Sequence, residues 1–244
     1  PHNNTQSHTL SLHDALPISY LDDALARERF KEKVRVDNKQ HIDKHKSISS
    51  WVADKENYLK TRENINSVSE ADTQLALLDA YERDKQTQNT TSVAELNKLG
   101  AHILAQKYET KYSRWVFENP KEIQDREANI DSQFHHLTEV SKEKKLYLDD
   151  ALARERFKEK VRVDNQQHID KHKSISSWVT EKENYLKTKE NINSVNEAET
   201  QLALLDAYER DKQTQYDTSV AELKKLGAHI LAQKYETKYS RWVF

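Results

Sequence analysis

The sequence predicts an all-α chain of tandem three-helix units joined by a continuous helix. It has only 2 Gly and 3 Pro among 244 residues, and so few turn-forming residues favour long helices. Apolar residues recur at intervals of three and four within a composition that is 33% charged, as in amphipathic helices. Residues 20–117 recur as residues 147–244 with nine differences, which predicts a tandem arrangement.

The composition limits the classes of function. The 39 Lys and Arg residues nearly cancel the 41 Asp and Glu residues, so no strong field favours nucleic acid or an anionic membrane. The chain has no Cys, which excludes disulfides, thiol nucleophiles and thiolate metal sites. No run approaches the roughly 20 apolar residues that span a bilayer, and the pattern of a signal peptide is missing. We expect a cytoplasmic protein without a nucleic-acid partner or contact with a membrane.

The first nineteen residues form a separate segment. Residues 9–18 read TLSLHDALPI, which resembles the translation of a common sequencing adapter. We interpret residues 1–19 as a sequencing artefact and expect them to be disordered; a natural loop is the alternative. His13, Asp14 and Ser19 are therefore not assembled into a catalytic triad.

The repeat sets the predicted domains. Residues 20–148 form the first repeat, including in residues 20–30 the end of a preceding helix, and residues 149–244 form a second, incomplete repeat. Two coding copies that both fold explain the duplication, and a misassembled join of related transcripts is the alternative.

The first helix is predicted from about Tyr20 to Lys60, followed by a turn over residues 61–68. Ser67 and Glu70 then form a capping box, in which each side chain accepts a hydrogen bond from a backbone amide at the helix start. Ser194 and Glu197 repeat this pattern in the second copy.

The second helix loses its apolar stripe between Gln86 and Ser92, and Ser92 with Glu95 forms another capping-box pattern. A kink or a short break near Asn89 is expected. The aromatic segment KYETKYSRWVF follows. Its residues Tyr112, Trp115 and Phe117 either fold over the end of the helices, which we favour, or form a contact surface.

A third helix is predicted to begin at Pro120, with Asn119 as its cap. No Gly or Pro occurs between Pro120 and Lys187. The third helix of the first repeat should therefore continue into the second repeat as one helix of about 100 Å.

These patterns resemble the spectrin repeat, a three-helix bundle whose last helix continues into the next repeat. Residues 51–59 and 178–186 match its first-helix motif W-(apolar)-x-x-K-E-x-x-L, and residues 93–104, VAELNKLGAHIL, are similar to its second-helix motif. Ile130, Phe134 and Leu137 fit the third helix, with Phe134 where the family usually has Trp. The resemblance covers residues 20–244 and is closest to α-actinin-type rod repeats.

The resemblance implies a structural rod or spacer of a cytoskeletal, actin cross-linking protein, which transmits force and pairs as a homodimer or rod pair. Actin would be linked only through domains outside this chain. The alternative is a helical docking or membrane-surface module. We expect no enzyme activity, no cofactor and no metal. The predicted structural core comprises Trp51, Leu59, Leu75, Leu78, Leu96, Leu99, Ile103, Ile130, Phe134, Leu137, Trp178, Leu186, Leu202 and Leu223.

The second repeat is expected to lack a third helix, which leaves an apolar groove along Trp178, Leu202 and Leu223. Fragmentation of a longer protein is the favoured explanation, and partner binding is the alternative.

Three sets of polar residues are candidate sites, and each has a more ordinary explanation. Two pairs of histidines are spaced to share a metal: His41 with His45, and their counterparts His168 with His172. Solvated or seam-edge histidines are the favoured explanation. The adjacent His135 and His136 point apart. Residues 27–46 carry eight basic and four acidic side chains, which suits an acidic partner or, as we favour, a solvated face. The pairs Asp22–Asp23 and Asp149–Asp150 diverge on a helix, so neither suits acid–base catalysis.

Overall fold

The computed structural model describes the backbone of residues 12–244 and the side chains from residue 18 onward. Residues 1–11, and with them part of the predicted adapter segment, lie outside the described residues. The described chain is mostly α-helical, which confirms that the fold is all-α. Its first copy contains helices α1 (Leu12–Lys60), α2 (Val68–Gln88) and α3 (Ala94–Ala105), strands β1 (Lys107–Glu109) and β2 (Arg114–Val116), and the start of helix α4 (Pro120–Lys187).

The second copy repeats this order of elements. Helix α4 continues into it, and the turn after Lys187 leads to the next helix. The remaining elements are α5 (Val195–Gln215), α6 (Ala221–Leu231), β3 (Lys234–Glu236) and β4 (Arg241–Val243).

Helix α1 begins earlier than expected. The disorder expected up to residue 19 does not hold for residues 12–19, whose backbone is helical. Once a helix is nucleated, each added residue gains a backbone hydrogen bond, so the long helix that follows can extend toward the N-terminus.

The capping boxes predicted at Ser67 and Ser194 are present. The Glu70 amide donates to Ser67 Oγ at 3.1 Å, and the Glu70 carboxylate accepts from the Asn66 amide at 2.8 Å. In the second copy the Glu197 amide donates to Ser194 Oγ at 3.2 Å. These bonds fix the starts of α2 and α5.

The expected break near Asn89 is a π-helical turn, Asn89–Val93, within a chain that stays helical. Ser92 Oγ donates to the Gln88 side chain instead of capping a new helix, so the predicted Ser92–Glu95 capping box is wrong. The flanking backbone keeps right-handed helical angles, which leaves no exposed helix start for a cap to satisfy. The second copy has the same π-helical turn at Tyr216–Val220.

The predicted continuous helix is confirmed, because α4 runs from Pro120 to Lys187 without interruption. Its start is also as predicted, with the Glu122 amide donating to the Asn119 carbonyl at 3.1 Å.

The structure also contains two antiparallel β-hairpins, which were not predicted from the sequence. In the first, Tyr108 pairs with Trp115 between β1 and β2, and in the second, Tyr235 pairs with Trp242 between β3 and β4. The Thr110 amide donates to the Ser113 carbonyl at 2.9 Å and closes the first turn. Each strand, KYE or RWV, carries an aromatic residue at its centre, and aromatic and β-branched residues favour strands.

The chain divides into two compact units that do not follow the predicted boundary at residue 148. Unit 1 comprises the residues up to Glu63 together with Leu75–Lys145, and unit 2 comprises Asn64–Gln74 together with Leu146–Phe244. In unit 2 the Arg154 guanidinium donates to the Ile65 carbonyl at 2.6 Å, which ties the turn before α2 to α4.

Unit 1 is built around three helical segments: α1, the α2–α3 segment from Leu75 onward, and residues 120–145 of α4. These segments bury a shared apolar core. Its buried members include Val34, Ile48, Val52, Leu59, Leu78, Tyr81, Val93, Leu96, Ile103, Ile123, Ile130 and Leu137.

Candidate interaction surfaces

The hairpin of unit 1 is anchored by one carboxylate on α1. Asp23 accepts hydrogen bonds from the hydroxyl groups of Tyr108 (3.0 Å), Thr110 (2.6 Å) and Ser113 (2.6 Å). The bond from Ser113, followed by that from Thr110, lowers the pKa of Asp23 below its ordinary value. The ionised carboxylate therefore attaches the turn of the hairpin to the helix.

The hairpin also packs its aromatic rings on α1 and on the end of the core. The Phe30 ring lies 5.7 Å from the Tyr108 ring and 5.9 Å from the Trp115 ring, and the latter contact is edge-on. Trp115 and Phe117 pack against the buried cluster of Val34, Ile103 and Ile123. The favoured interpretation of the aromatic segment as packing is confirmed for these two rings.

Unit 2 repeats the same anchor. Asp150 accepts from the Tyr235 hydroxyl at 2.9 Å and from Ser240 Oγ at 2.6 Å, and Phe157 lies 5.7 Å and 5.8 Å from the Tyr235 and Trp242 rings. Burial, followed by the hydrogen bond to Asp150, raises the pKa of Tyr235 to about 12. The spacing of the pairs Asp22–Asp23 and Asp149–Asp150 predicted no catalytic role, but the second Asp of each pair holds a hairpin.

Residues 120–145 of α4 cover the apolar face that α1 and α2 present in unit 1. The Phe134 ring stacks on the Trp51 ring at 5.8 Å. Six predicted core residues are buried in this unit: Leu59, Leu78, Leu96, Ile103, Ile130 and Leu137. The other four predicted for this unit are half-buried: Trp51, Leu75, Leu99 and Phe134.

A buried histidine lies beneath the N-terminal part of this covering segment. His41 Nδ1 accepts from Arg126 Nε at 3.1 Å, so Nε2 carries the proton that it shares with Glu127 Oε1 at 3.3 Å. Burial is the largest cause that lowers the pKa of His41 to about 4, followed by the charges of Arg126 and His45. Its contact with Glu127 is therefore a hydrogen bond of a neutral imidazole at pH 7.

His41 is not the solvated or seam-edge residue that the sequence favoured, because Arg126 and Asn38 close the space around it. His45 faces Asn129 at 3.1 Å. Among residues 18–244, no group of three or more His, Cys, Asp or Glu side chains is arranged to hold a metal ion.

A buried lysine closes the other end of the cover. Lys144 Nζ donates to the Tyr58 and Thr61 carbonyls at 3.2 Å and 2.9 Å and to the Glu63 carboxylate at 2.9 Å. Its ammonium group also lies 4.6 Å from the centre of the Tyr58 ring. A side chain of α4 thus binds the Tyr58 carbonyl in the last turn of α1 and the Thr61 carbonyl just beyond it, where carbonyl groups lack partners further along a helix.

The corresponding face in unit 2 is open. We call it the unit 2 face and define it by Val179, Leu186, Leu202 and Leu205, which are all exposed. The prediction that Leu186 and Leu202 belong to a core is wrong, because no third helical segment covers them within the described residues. Trp178 and Leu223 are half-buried beside them, as expected for an apolar groove.

The basic stretch of residues 27–46 is partly neutralised. Arg27 and Lys31 pair with Glu28, and Arg35 pairs with Glu32. Lys44 pairs with Glu95 of α3 at 2.6 Å. These pairs favour the solvated face that the sequence analysis preferred.

No helix within residues 12–244 has both the length and the apolar character needed to cross a membrane. No protein-family model matches the chain, and no curated protein matches it.

Proposed function

We propose that this chain is a structural spacer segment built from spectrin-like repeats, of the kind that separates binding ends in a cytoskeletal, actin cross-linking protein. The observation that carries the proposal is α4, which provides a covering segment to unit 1 and the long helix of unit 2 without a break. Its resemblance to the family rests on the sequence motifs in residues 51–59, 93–104 and 178–186.

The proposed mechanism is transmission of force along the backbone of α4. In unit 1 the helix is held by the Trp51–Phe134 stack and by Lys144, and in unit 2 it is held by the Asp150 anchor and by Arg154. Tension on α4 would therefore load packed side chains as well as helical hydrogen bonds. Rod pairing, linkage to actin through other domains, and a cytoplasmic location belong to the same proposal.

Small-angle scattering with sedimentation velocity on the full chain tests the spacer. An intact 68-residue α4 requires a maximum dimension of at least about 100 Å, and rod pairing adds a dimer mass at higher concentration. A maximum dimension well below that value would show that α4 breaks in solution and would contradict the spacer.

A second candidate function is a helical docking module, and the open unit 2 face favours it. Leu186 and Leu202 are 49% and 63% exposed, in contrast to buried Leu59 and half-buried Leu75 at the equivalent positions of unit 1. The membrane-surface form of this candidate would use the basic residues 27–46. Salt-sensitive binding to anionic vesicles would support the membrane form, and binding to peptides alone would support the protein form.

A further inference from the structure

The segment between α1 and α2 runs along α4. Residues 61–67 form neither helix nor strand, and we call them the α1–α2 connection. Lys144 Nζ donates to the Thr61 carbonyl at 2.9 Å, and Arg154 Nη2 donates to the Ile65 carbonyl at 2.6 Å. Ten residues of helix rise about 15 Å. The connection therefore follows α4 in the direction of that helix, with two of its carbonyl groups bound to side chains ten residues apart.

The α1–α2 connection is fixed at both ends. Lys144 holds its start at Thr61, and the capping box of Ser67 and Glu70 holds its end. The connection thus presents the side chain and the carbonyl group of Ile65 at a defined place. Little further conformational entropy is lost when α4 binds them.

The connection and α4 also bury apolar side chains in the same unit. Ile65 and, at the start of α2, Ala71 are buried, and so are Leu148 and Ala151 of α4. All four residues belong to unit 2. The hydrogen bond to Ile65 is therefore accompanied by burial of apolar surface, which is the larger source of stabilisation.

Helix α1 contains the same sequence in a different environment. Residues 21–28 and 148–155 both read LDDALARE, and the equivalent aspartates hold the two hairpins in the same way. Leu21 is 65% exposed, whereas Leu148 is fully buried. The burial of Leu148 therefore comes from an element that lies beside α4 alone, and the bond from Arg154 identifies the α1–α2 connection as that element.

An acidic residue shows the same difference. Glu28 of α1 pairs with two basic neighbours, and its side chain is 49% exposed. Glu155 makes the equivalent pairs with Arg154 and Lys158, both at 2.9 Å, but its side chain is 1% exposed. Glu155 accepts from Arg154 Nε, which leaves Nη2 for the Ile65 carbonyl, because the donors of a guanidinium group form a planar fork. Glu155 thus orients Arg154 toward the connection.

Residues 146–155 of α4 need such packing. They belong to an unbroken helix, but a helix without packing partners is marginal in water, because its hydrogen bonds barely offset the entropy lost by the backbone. The partners of this stretch include the α1–α2 connection and, through Asp150, the β3–β4 hairpin.

We propose that the α1–α2 connection keeps α4 helical over residues 146–155, with Ile65 as the apolar contact and Arg154 as the positioning residue. Loss of either contact opens this stretch of the helix locally. The stiffness of the spacer is thus set by a loop outside α4. This inference rests on the spacer function proposed above, because a helix that opens here no longer transmits force along its backbone.

Amide hydrogen exchange of the full chain tests the inference. Ile65→Ala and Arg154→Ala should each make exchange in residues 146–155 at least about tenfold faster, because local opening then costs less free energy. Alanine keeps the helix propensity at position 154. Exchange in residues 96–103 of unit 1 should stay unchanged. Equal acceleration there would show a general loss of stability and would overturn the local role of the connection.

The repeated sequence supplies matched controls. Ile192 is the equivalent of Ile65 and is 51% exposed, and Arg27 is the equivalent of Arg154 in α1. Ile192→Ala and Arg27→Ala remove the same side chains from the same local sequences. They should change exchange in residues 146–155 less than about twofold. If Ile192→Ala accelerates exchange there as much as Ile65→Ala does, the inference is overturned.

A distance measurement separates this inference from the spacer function. Spin labels at Asp131→Cys and Lys160→Cys, two exposed positions of α4, should give a narrow distribution in the otherwise unsubstituted chain. Addition of Ile65→Ala and Arg154→Ala together should make it at least about twofold wider, because the helix opens between the labels. A distribution that stays narrow after both substitutions, with unchanged exchange in residues 146–155, would overturn the role of the connection and leave the spacer intact. A broad distribution before any of these substitutions would overturn the spacer, and the inference with it.

Discussion

Trp51 of α1 and Phe134 of α4 stack with their ring centroids 5.8 Å apart and their planes 19° from parallel. Stacked aromatic pairs add stabilisation beyond their buried area. The pair joins the two helices at the middle of unit 1. It lies between the contacts of His41 with Arg126 and Glu127 and the contacts of Lys144 with the end of α1. Its removal should separate the covering segment from the face that it covers.

Phe134→Ala should lower the free energy of unfolding of unit 1 by about 3 kcal/mol, because it leaves a cavity over Trp51. Urea denaturation followed by circular dichroism measures this change. Leu77→Ala is the control: Leu77 is 49% exposed, so we expect less than about 0.5 kcal/mol. Equal effects of the two substitutions would show that α4 does not hold unit 1 through this stack.

Asp23→Ala should release the β1–β2 hairpin from α1, because three hydroxyl groups lose their common acceptor. Amide hydrogen exchange in residues 107–116 should become at least about tenfold faster, while exchange in residues 234–243 stays unchanged. Asp150→Ala should give the reverse pattern. Loss of protection in both hairpins from a single substitution would contradict separate anchors.

The Asp23 anchor should also depend on pH. Its pKa is lower in the folded state than in the unfolded state, so its stabilisation is present above the unfolded pKa and is lost as the pH falls through the folded pKa. The hairpin should stay protected at pH 5 and lose protection in stronger acid. Loss of protection between pH 7 and pH 5 would contradict this assignment.

His41 should make unit 1 sensitive to mild acid. Its pKa of about 4 in the folded state lies below the ordinary value, so the unfolded state binds a proton first and stability falls as the pH falls from about 6.5 to 4. The full effect is about 3 kcal/mol. Glu127 offsets part of it, because burial and the Asp131 charge raise the pKa of Glu127.

The measurement is the free energy of unfolding of the wild type and of His41→Gln between pH 7 and pH 4.5. The variant should lose less stability over this range than the wild type. His168→Gln alters the half-buried equivalent in unit 2. It should change the slope of the free energy of unfolding against pH less than His41→Gln does. Identical slopes for wild type and His41→Gln would show that His41 is not held neutral.

Lys144→Met should destabilise unit 1 by roughly 3 kcal/mol, because it leaves Glu63 and two carbonyls at the end of α1 without the buried ammonium group. Thermal unfolding of Lys144→Met and of the control Lys142→Met measures the difference. The Lys142 side chain is 65% exposed and pairs only with Glu139 among the described contacts. We expect less than about 1 kcal/mol for the control, and a similar loss for both would contradict the capping role.

Local sequence signals predicted the helices well. The limits of α4, the capping boxes at Ser67 and Ser194 and the apolar stripe through Ile130 and Leu137 all follow from residues that are near one another in the sequence. Such features depend on backbone propensity and helical periodicity, which a single sequence displays directly.

Features that depend on distant contacts were missed. The hairpin strands have only three residues each, and their anchor, Asp23, lies 85 residues before Tyr108. The aspartate pair alone gave no indication of this contact. The same spacing recurs from Asp150 to the second Y-x-T-x-x-S segment, but it carries no signal, because two near-identical copies share every spacing.

Burial in unit 2 also could not be deduced from periodicity. Leu186 and Leu59 have the same sequence environment, yet one is exposed and the other is buried. The difference arises from whether a third segment packs on the face, and an apolar stripe marks a face without showing what covers it.

The most direct test of the spacer is the distance across the junction of the two copies within α4. The chain has no Cys, so spin labels can be placed at Asp131→Cys and Lys160→Cys, two exposed positions of this helix. Double electron–electron resonance should give a narrow distribution near 44 Å, from about 1.5 Å per residue. A broad distribution centred well below that distance would show that α4 breaks, and it would contradict a continuous helix as the spacer.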